Sequence, residues 1–547
     1  MSPEVPALTG RLKTVAAITA GLVIAGGVFL RFFTHSALWL DEALTVDIAR
    51  LPLHAIPGAL KRDGAPPLFY FLLHFWIGIF GNSDEATRSL SGLFGVLTLP
   101  VAWFVGRRFG GRAVAWTLVV LFASAPFAVY YSTETRMYAL VILLTGCGFL
   151  ALQRAIERPR PGNLISLAVV TAALLYSQYW ALYLVALVGL WLLIDLVMLR
   201  RRERSAEPVA GPGAEPASAS APAEPGAWKR QWYALIALAV GVLAFVPWVP
   251  TFYYQSKHTG TPWAKPPNFA AVINAITGFT DNQGSTSTAG TNQGRLLALI
   301  YFAMIALALF GIGKTQRVIE LDLHTRPRAR GTTFVVVGTL FAAIAGGILT
   351  SSAFSPRYAS VVFLPLLVLV AFGTTTLLSP RIRVAVVAVA VAAGLVSSFQ
   401  NIDTFRTQSP KVAAVINTQA QPGDLIAFCP DQLGPSVYRV VRHQSAYDMV
   451  TFPRDTGPQL VNWVDYERNV HAGNPTAFIS MLTARAGTAH RIWLVWAQGY
   501  QAYGVKCEQI AAGLQATAGL ATRSWVVLKP TKYYEPMNLT EFAPTGS

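Results

Sequence analysis

The stretch LWLDEALTV, residues 38–46, sets Asp41 and Glu42 directly behind an apolar, aromatic run that includes Trp39. Neighbouring residues on a helix point roughly 100° apart, so two adjacent acids must do different jobs. One could act as a general base, taking the proton of an attacking hydroxyl. The plainer reading makes Asp41 the cap of a helix beginning at Glu42. Asp63 and His74 lie in KRDGAPPLFYFLLHFW, where turn chemistry before Gly64 and a membrane-interface histidine are the alternatives to substrate contact. Glu134, Arg136 and Tyr138 cluster in YYSTETRMYAL, and an Arg beside a Glu there could hold a phosphate or simply snorkel. Lys257, His258, Trp263 and Lys265 fall in FYYQSKHTGTPWAKPPN, a polar, aromatic segment suited to a sugar, a phosphate or an interface belt. Arg357 and Tyr358 occur in FSPRYASVVFLPLL. A guanidinium at such a position needs an anion, either a lipid phosphate held by bidentate donors or a structural acid.

Those residues must be held by membrane helices. The chain has 547 residues, 53% hydrophobic and only 13% charged, whereas soluble domains carry roughly a quarter charged residues. Spans of ~20 apolar residues are expected near 14–33, 87–106, 113–131, 137–154, 164–178, 180–199, 231–250, 294–313, 332–352, 359–378 and 382–399. The segment 66–81, PPLFYFLLHFWIGIFG, is short, aromatic and opened by Pro-Pro, which suits an interfacial or re-entrant helix. Counting it as non-spanning puts Arg11 and Lys13 on the same side as the clusters at 107–112, 154–160, 200–204, 314–330 and 381–383. By the positive-inside rule that side is cytoplasmic. The net charge of +16 therefore reflects topology, and no nucleic-acid surface is expected.

This topology makes 34–86 and 251–293 external loops, 200–229 a cytoplasmic linker too rich in Ala, Pro, Glu, Ser and Gly to build a core, and 401–547 an external tail. The tail reads as α/β: helix-like at 410–420 and 505–518, strand-like at 425–429, 491–497 and 524–528. Its Cys429 and Cys507 are a disulfide candidate in an oxidising compartment; the alternative is two buried thiols. Its Trp463, Trp493, Trp496 and Tyr500 are either core or an acceptor surface.

With these motifs assembled, LWLDEA, D-x-x-PPL-x-Y-x-LLHFW, the late Arg of GNSDEATR, YSTETRMYAL and the RY of SPRY, the chain resembles the GT-C glycosyltransferases. The nearest group is the protein O-mannosyltransferase and aminoarabinose transferase type, family 39-like. The likeness covers residues 30–140 well and 350–380 loosely. It implies a polytopic α-helical membrane protein with juxtamembrane helices in the first external loop. It further implies that Asp41 is the catalytic base with Glu42 beside it, and that Arg357 and Arg136 bind the carrier phosphate. One departure is Ala65, where the family often has His.

The reaction so implied is inverting transfer of a sugar from a polyprenyl-phosphate donor to a glycan, glycolipid or protein hydroxyl on the external face of the plasma membrane. Mannose is favoured and arabinofuranose next. Arg357, Arg136, Tyr358, Lys257 and His258 are the candidates for the donor phosphate; Asp63, His74, Glu134, Trp39 and Trp263 are those for substrate. The partners expected are the lipid-linked donor, the envelope acceptor and membrane lipids. One phosphate leaves, so no divalent metal is required, although the charge argument leaves one open. A transporter or flippase of lipid-linked sugars, a glycan ligase and a receptor scaffold are the competing functions.

Overall fold

The computed structural model describes residues 10–206, 226–260, 267–268, 270–281, 291–315, 318–350 and 354–545. Most of the linker, together with Trp263 and Lys265, lies outside the described residues.

The first helix, α1 (Gly10–Leu30), is followed by three short helices, α2 (Leu40–Ala49), α3 (Ile56–Asp63) and α4 (Leu68–Phe80). Then come α5 (Asp84–Ser124), α6 (Pro126–Ser132), α7 (Tyr138–Glu157), α8 (Pro161–Leu175) and α9 (Ala181–Ala206). The bundle continues with α10 (Ala227–Leu243), α11 (Val249–His258), α12 (Ala271–Gly278) and α13 (Asn292–Phe310). A small hairpin, β1 (Gly311–Gly313) with β2 (Ile319–Leu321), leads to α14 (Pro327–Leu349), α15 (Ser360–Gly373) and α16 (Pro380–Asp403).

Nine stretches of described helix are long and apolar enough to cross a membrane. One of them, α5, is two legs broken at Gly110 and Gly111, where Gly111 has a φ of +82° that a side chain would resist. A Cβ on Gly106 would come within 2.6 Å of the Ala115 Cα, so the bare glycine lets the two legs touch. Counting the two legs of α5 apart gives ten segments, and the 15-residue α8, at one of the expected spans, is an eleventh but shorter apolar helix. The chain is thus a multi-pass membrane protein. Exposed apolar side chains such as Phe29, Leu243 and Leu299 face outward, as a bilayer demands. Helix α15 runs through the middle, buried from Ser360 to Gly373 and packed on α5, α7, α13 and α14.

Helix α4 has 13 residues and is held by α2 and α5. The His74 Nδ1 lies 2.7 Å from the Ala49 carbonyl of α2, and the Trp76 Nε1 donates to the Ala86 carbonyl at 2.9 Å. The segment expected as a loop at 251–293 differs from that expectation: α10 passes through a 3₁₀ turn straight into α11, and α12 follows.

The tail adds α17 (Ser409–Gln419), β3 (Leu425–Cys429), α18 (Gly434–Val440), β4 (Asp448–Thr451), α19 (Tyr466–Ala472), α20 (Pro475–Ala486), β5 (Ile492–Trp496), α21 (Lys506–Gln515), β6 (Leu520–Val526) and β7 (Asn538–Pro544). Its sheet has the order β4-β3-β5-β7-β6, parallel among β4, β3 and β5 and antiparallel thereafter. The apolar runs of β3 and β5 are central strands, which explains their near-continuous hydrophobicity. Trp493 is fully buried in this core and Trp463 nearly so, so neither is an exposed acceptor surface.

Cys429, at the end of β3, is bonded to Cys507 on α21, a separation of 78 residues. Closing a loop of that length stabilises by about 4 kcal/mol on the chain-entropy account. Denatured without reductant, the protein should expose one reactive thiol, Cys147, and three after reduction. Three thiols under both conditions would exclude the bridge.

Candidate active site

Helix α2 begins at Leu40, with Trp39 at the N-cap position and no side-chain cap. Asp41 therefore does not cap it, and both acids of the pair lie in its first turn. Their environments are opposite.

Glu42 is fully buried. Arg88, near the start of α5, donates to it through Nε at 2.7 Å and Nη2 at 2.5 Å. The Thr135 amide donates at 2.9 Å, and the Arg406 Nη1 lies 3.5 Å away. Burial alone would raise the Glu42 pKa; the two guanidiniums outweigh it and hold the carboxyl below the usual carboxylate range. Arg88 and Arg406 are themselves anchored: Arg88 on the Ser36 and Ala37 carbonyls, Arg406 on Thr133 and over the Tyr130 ring at 4.2 Å. These contacts leave the Glu42 carboxylate, expected beside the base, no free face.

Asp41 points elsewhere. Its Oδ2 lies 3.1 Å from the Arg357 Nη1, and both side chains keep partial exposure, 17% and 12%. The Arg357 guanidinium sits 5.7 Å from the Trp39 ring and 5.5 Å from the Tyr358 ring. Tyr534, from the tail, meets Trp39 edge-on at 5.0 Å. Arg357 stands in a short 3₁₀ turn, Pro356–Ala359, at the head of α15, so the central helix of the bundle aims it.

A second polar group adjoins this pair. The Tyr70 hydroxyl donates to Asp63 at 2.9 Å, and Arg136 donates to the Thr45 hydroxyl at 2.8 Å and lies 3.4 Å from the Tyr70 hydroxyl. Burial raises the Asp63 pKa, against Arg136 and the Tyr70 bond. Glu134 is 1% exposed, and burial pushes it up to about 7; Arg406 opposes this and Glu42 adds to it. Among the described residues, Glu134 Oε1 and Trp39 Nε1 are buried polar atoms without a hydrogen-bond partner.

Other expected residues fall outside the cluster. His74 is spent on the Ala49 carbonyl. His258, expected at the donor phosphate, faces Asp465 of the tail at 3.2 Å. Lys257 is exposed, its ammonium 6.0 Å from the Tyr253 ring, and does not ion-pair with the Asp41–Arg357 set. Trp263 lies outside the described residues. Sequence reasoning missed Arg406, Tyr70, Tyr534 and Glu535. Glu535 accepts from the Leu40 amide at 3.2 Å, and burial pushes its pKa up to about 8. Among the described residues, no three His, Cys, Asp or Glu side chains group as a metal site.

The family model for dolichyl-phosphate-mannose-protein mannosyltransferase matches residues 64–209. Comparison with curated proteins finds no match. Among solved structures, ArnT from Cupriavidus metallidurans in the apo state is similar at TM-score 0.60 and 13% identity, covering 97% of this chain and 98% of that one. The same protein bound to undecaprenyl phosphate gives 0.55 and 12%, covering 98% of each chain. Archaeal oligosaccharyltransferase AglB from Archaeoglobus fulgidus, in complex with an inhibitory peptide and a dolichol-phosphate, gives 0.50 and 12%, covering 98% of this chain and 75% of that one. The fold is the GT-C fold of these structures, and residues 64–209 resemble the mannosyltransferase family.

Two measurements test the electrostatics. Arg88→Ala leaves Glu42 buried without its main partner and should destabilise by about 3–5 kcal/mol, read as a lower melting temperature in detergent. Glu134 has a raised pKa, so its protonated form contributes stability that is full at low pH and lost as pH rises toward about 7. Glu134→Gln should flatten that part of the stability–pH curve; an unchanged slope would mean that Glu134 is ionised throughout.

Proposed function

We propose that the protein transfers a single sugar, with inversion, from a polyprenyl-phosphate carrier to a hydroxyl of an envelope glycan, glycolipid or protein. The observation that carries this is the Asp41–Arg357 pair at 3.1 Å, partly exposed and rimmed by aromatic rings. The work takes place on the external face of the plasma membrane, with the N-terminus cytoplasmic and the tail external. That orientation rests on the distribution of basic residues.

On this reading Arg357 binds the carrier phosphate and stabilises the charge that it gains on leaving. Asp41 accepts the proton of the acceptor hydroxyl as its oxygen attacks C1 from the opposite side. The C1–O bond to the phosphate breaks as the new glycosidic bond forms. Trp39 and Glu134 offer polar atoms to sugar hydroxyls, and Arg136 with Asp63 extends that wall. Undecaprenyl phosphate bound to the structurally similar ArnT supports the donor class, and the mannosyltransferase model over 64–209 favours mannose ahead of arabinofuranose.

Asp41→Asn keeps the size of the side chain and removes the base. Transfer from radiolabelled polyprenyl-phosphate mannose to envelope extract should fall about 10²–10⁴-fold, while donor binding persists. Arg357→Ala should instead weaken donor binding. Near-normal turnover by Asp41→Asn sinks the base assignment. Transfer only from the arabinofuranose donor would change the sugar and keep the mechanism.

A further inference from the structure

A cavity of about 450 Å³ lies within the bundle, away from the Asp41 site. Phe149, Leu174, Val188 and Pro365, from four different helices, make much of its wall. Such a volume and such walls are typical of small-ligand sites. Its outer end differs in chemistry. Arg108, Gln153 and Arg328 line it there, beside Pro327, the first residue of α14. These residues mark the bundle end opposite Asp41: Arg108 precedes the turn between the two legs of α5, and Gln153 lies in the last turns of α7.

Arg108 is shared with Glu157, donating to both carboxylate oxygens at 2.7 Å. Arg328 is exposed and makes no ion pair among the described residues. The N-terminal end of the 23-residue α14, the positive pole of its dipole, lies at the same mouth. Arg326 and Arg330 flank it. An apolar chamber capped by a cation and a helix N-terminus calls for a molecule with a hydrocarbon chain and one anionic head.

We propose that this cavity binds an anionic phospholipid from the leaflet opposite the Asp41 site. Its acyl chain fills the chamber, and its phosphate meets Arg328 and the first turn of α14. A polyprenyl tail carries no charge at its far end and would leave Arg328 unanswered. A zwitterionic lipid would bring a second cation to an already basic rim. The site is separate from the transfer site and does not depend on which reaction runs there.

Native mass spectrometry of the full chain in detergent, titrated with phosphatidylglycerol or phosphatidylcholine, reads the site. Phosphatidylglycerol should bind at least about fivefold more tightly, the value of one basic contact near a membrane surface. Arg328→Ala should remove that preference. Gly148→Phe should reduce binding of both lipids, because a Cβ at Gly148 meets only Val170 at 3.5 Å and Leu174 at 3.9 Å, leaving the ring to fill the chamber. Arg328→Ala alters only an exposed side chain and carries the test alone should the ring disturb the bundle. Equal affinity for the two lipids, phosphatidylglycerol binding unchanged by Arg328→Ala, or displacement of the lipid by polyprenyl phosphate would each overturn the proposal.

Discussion

The arrangement at the mouth of the bundle depends on one buried ion cluster, Glu42 between Arg88 and Arg406. Each of these three residues comes from a different part of the chain: the first short helix, the first leg of α5, and the segment that enters the tail. A carboxylate and two guanidiniums out of water are tolerable only while every partner is present, since a lone buried charge costs several kcal/mol. The cluster therefore forces three segments into one register. With Glu42 held inward, the helical step of roughly 100° swings Asp41 to the side, toward Arg357. The adjacency of the two acids is what converts a structural anchor into an aimed side chain.

The tail belongs to the same construction. Arg439 on α18 pairs with Asp84 at 2.9 Å, and the Trp463 amide donates to the Arg62 carbonyl at 3.2 Å. Glu535 accepts from the Leu40 amide at the start of α2, while Tyr534 rests against Trp39. Strand β7 follows directly, so the sheet fixes where Tyr534 and Glu535 can stand. The wall around Arg357 is thus assembled from the bundle and from a domain that begins some fifty residues after it in the chain.

How much of this the sequence discloses follows from the range of each interaction. Membrane helices announce themselves locally, by length and hydropathy, and the long apolar helices and the shorter α4 are legible for that reason. Strands β3 and β5 are legible as buried apolar runs. Strands β4 and β7 are not: Asp448–Thr451 and Asn538–Pro544 are polar or mixed, and only their neighbours in the sheet make them strands. At the site, Asp41, Glu134, Arg136 and Arg357 stand out because ionisable residues at a membrane boundary are conspicuous. Arg406 and Glu535 lie in a tail where charge is ordinary, and their partners are hundreds of residues away. His74 and His258 look chemical in sequence, yet each is used to tie one element to another.

In the proposed reaction the Asp41–Arg357 contact bears on the order of events. The two side chains are 17% and 12% exposed, so water reaches the pair only in part and each charge leans on the other. A carrier phosphate, with more charge and more acceptor oxygens than one carboxylate, competes with Asp41 for Arg357. A phosphate that engages Arg357 leaves the Asp41 oxygens open toward the acceptor side. Glu42 cannot follow, because its two arginines are fully buried and fixed by backbone carbonyls and Thr133. The pair of acids thus divides into one that donor binding releases and one that it leaves in place, a division set by burial rather than by residue type.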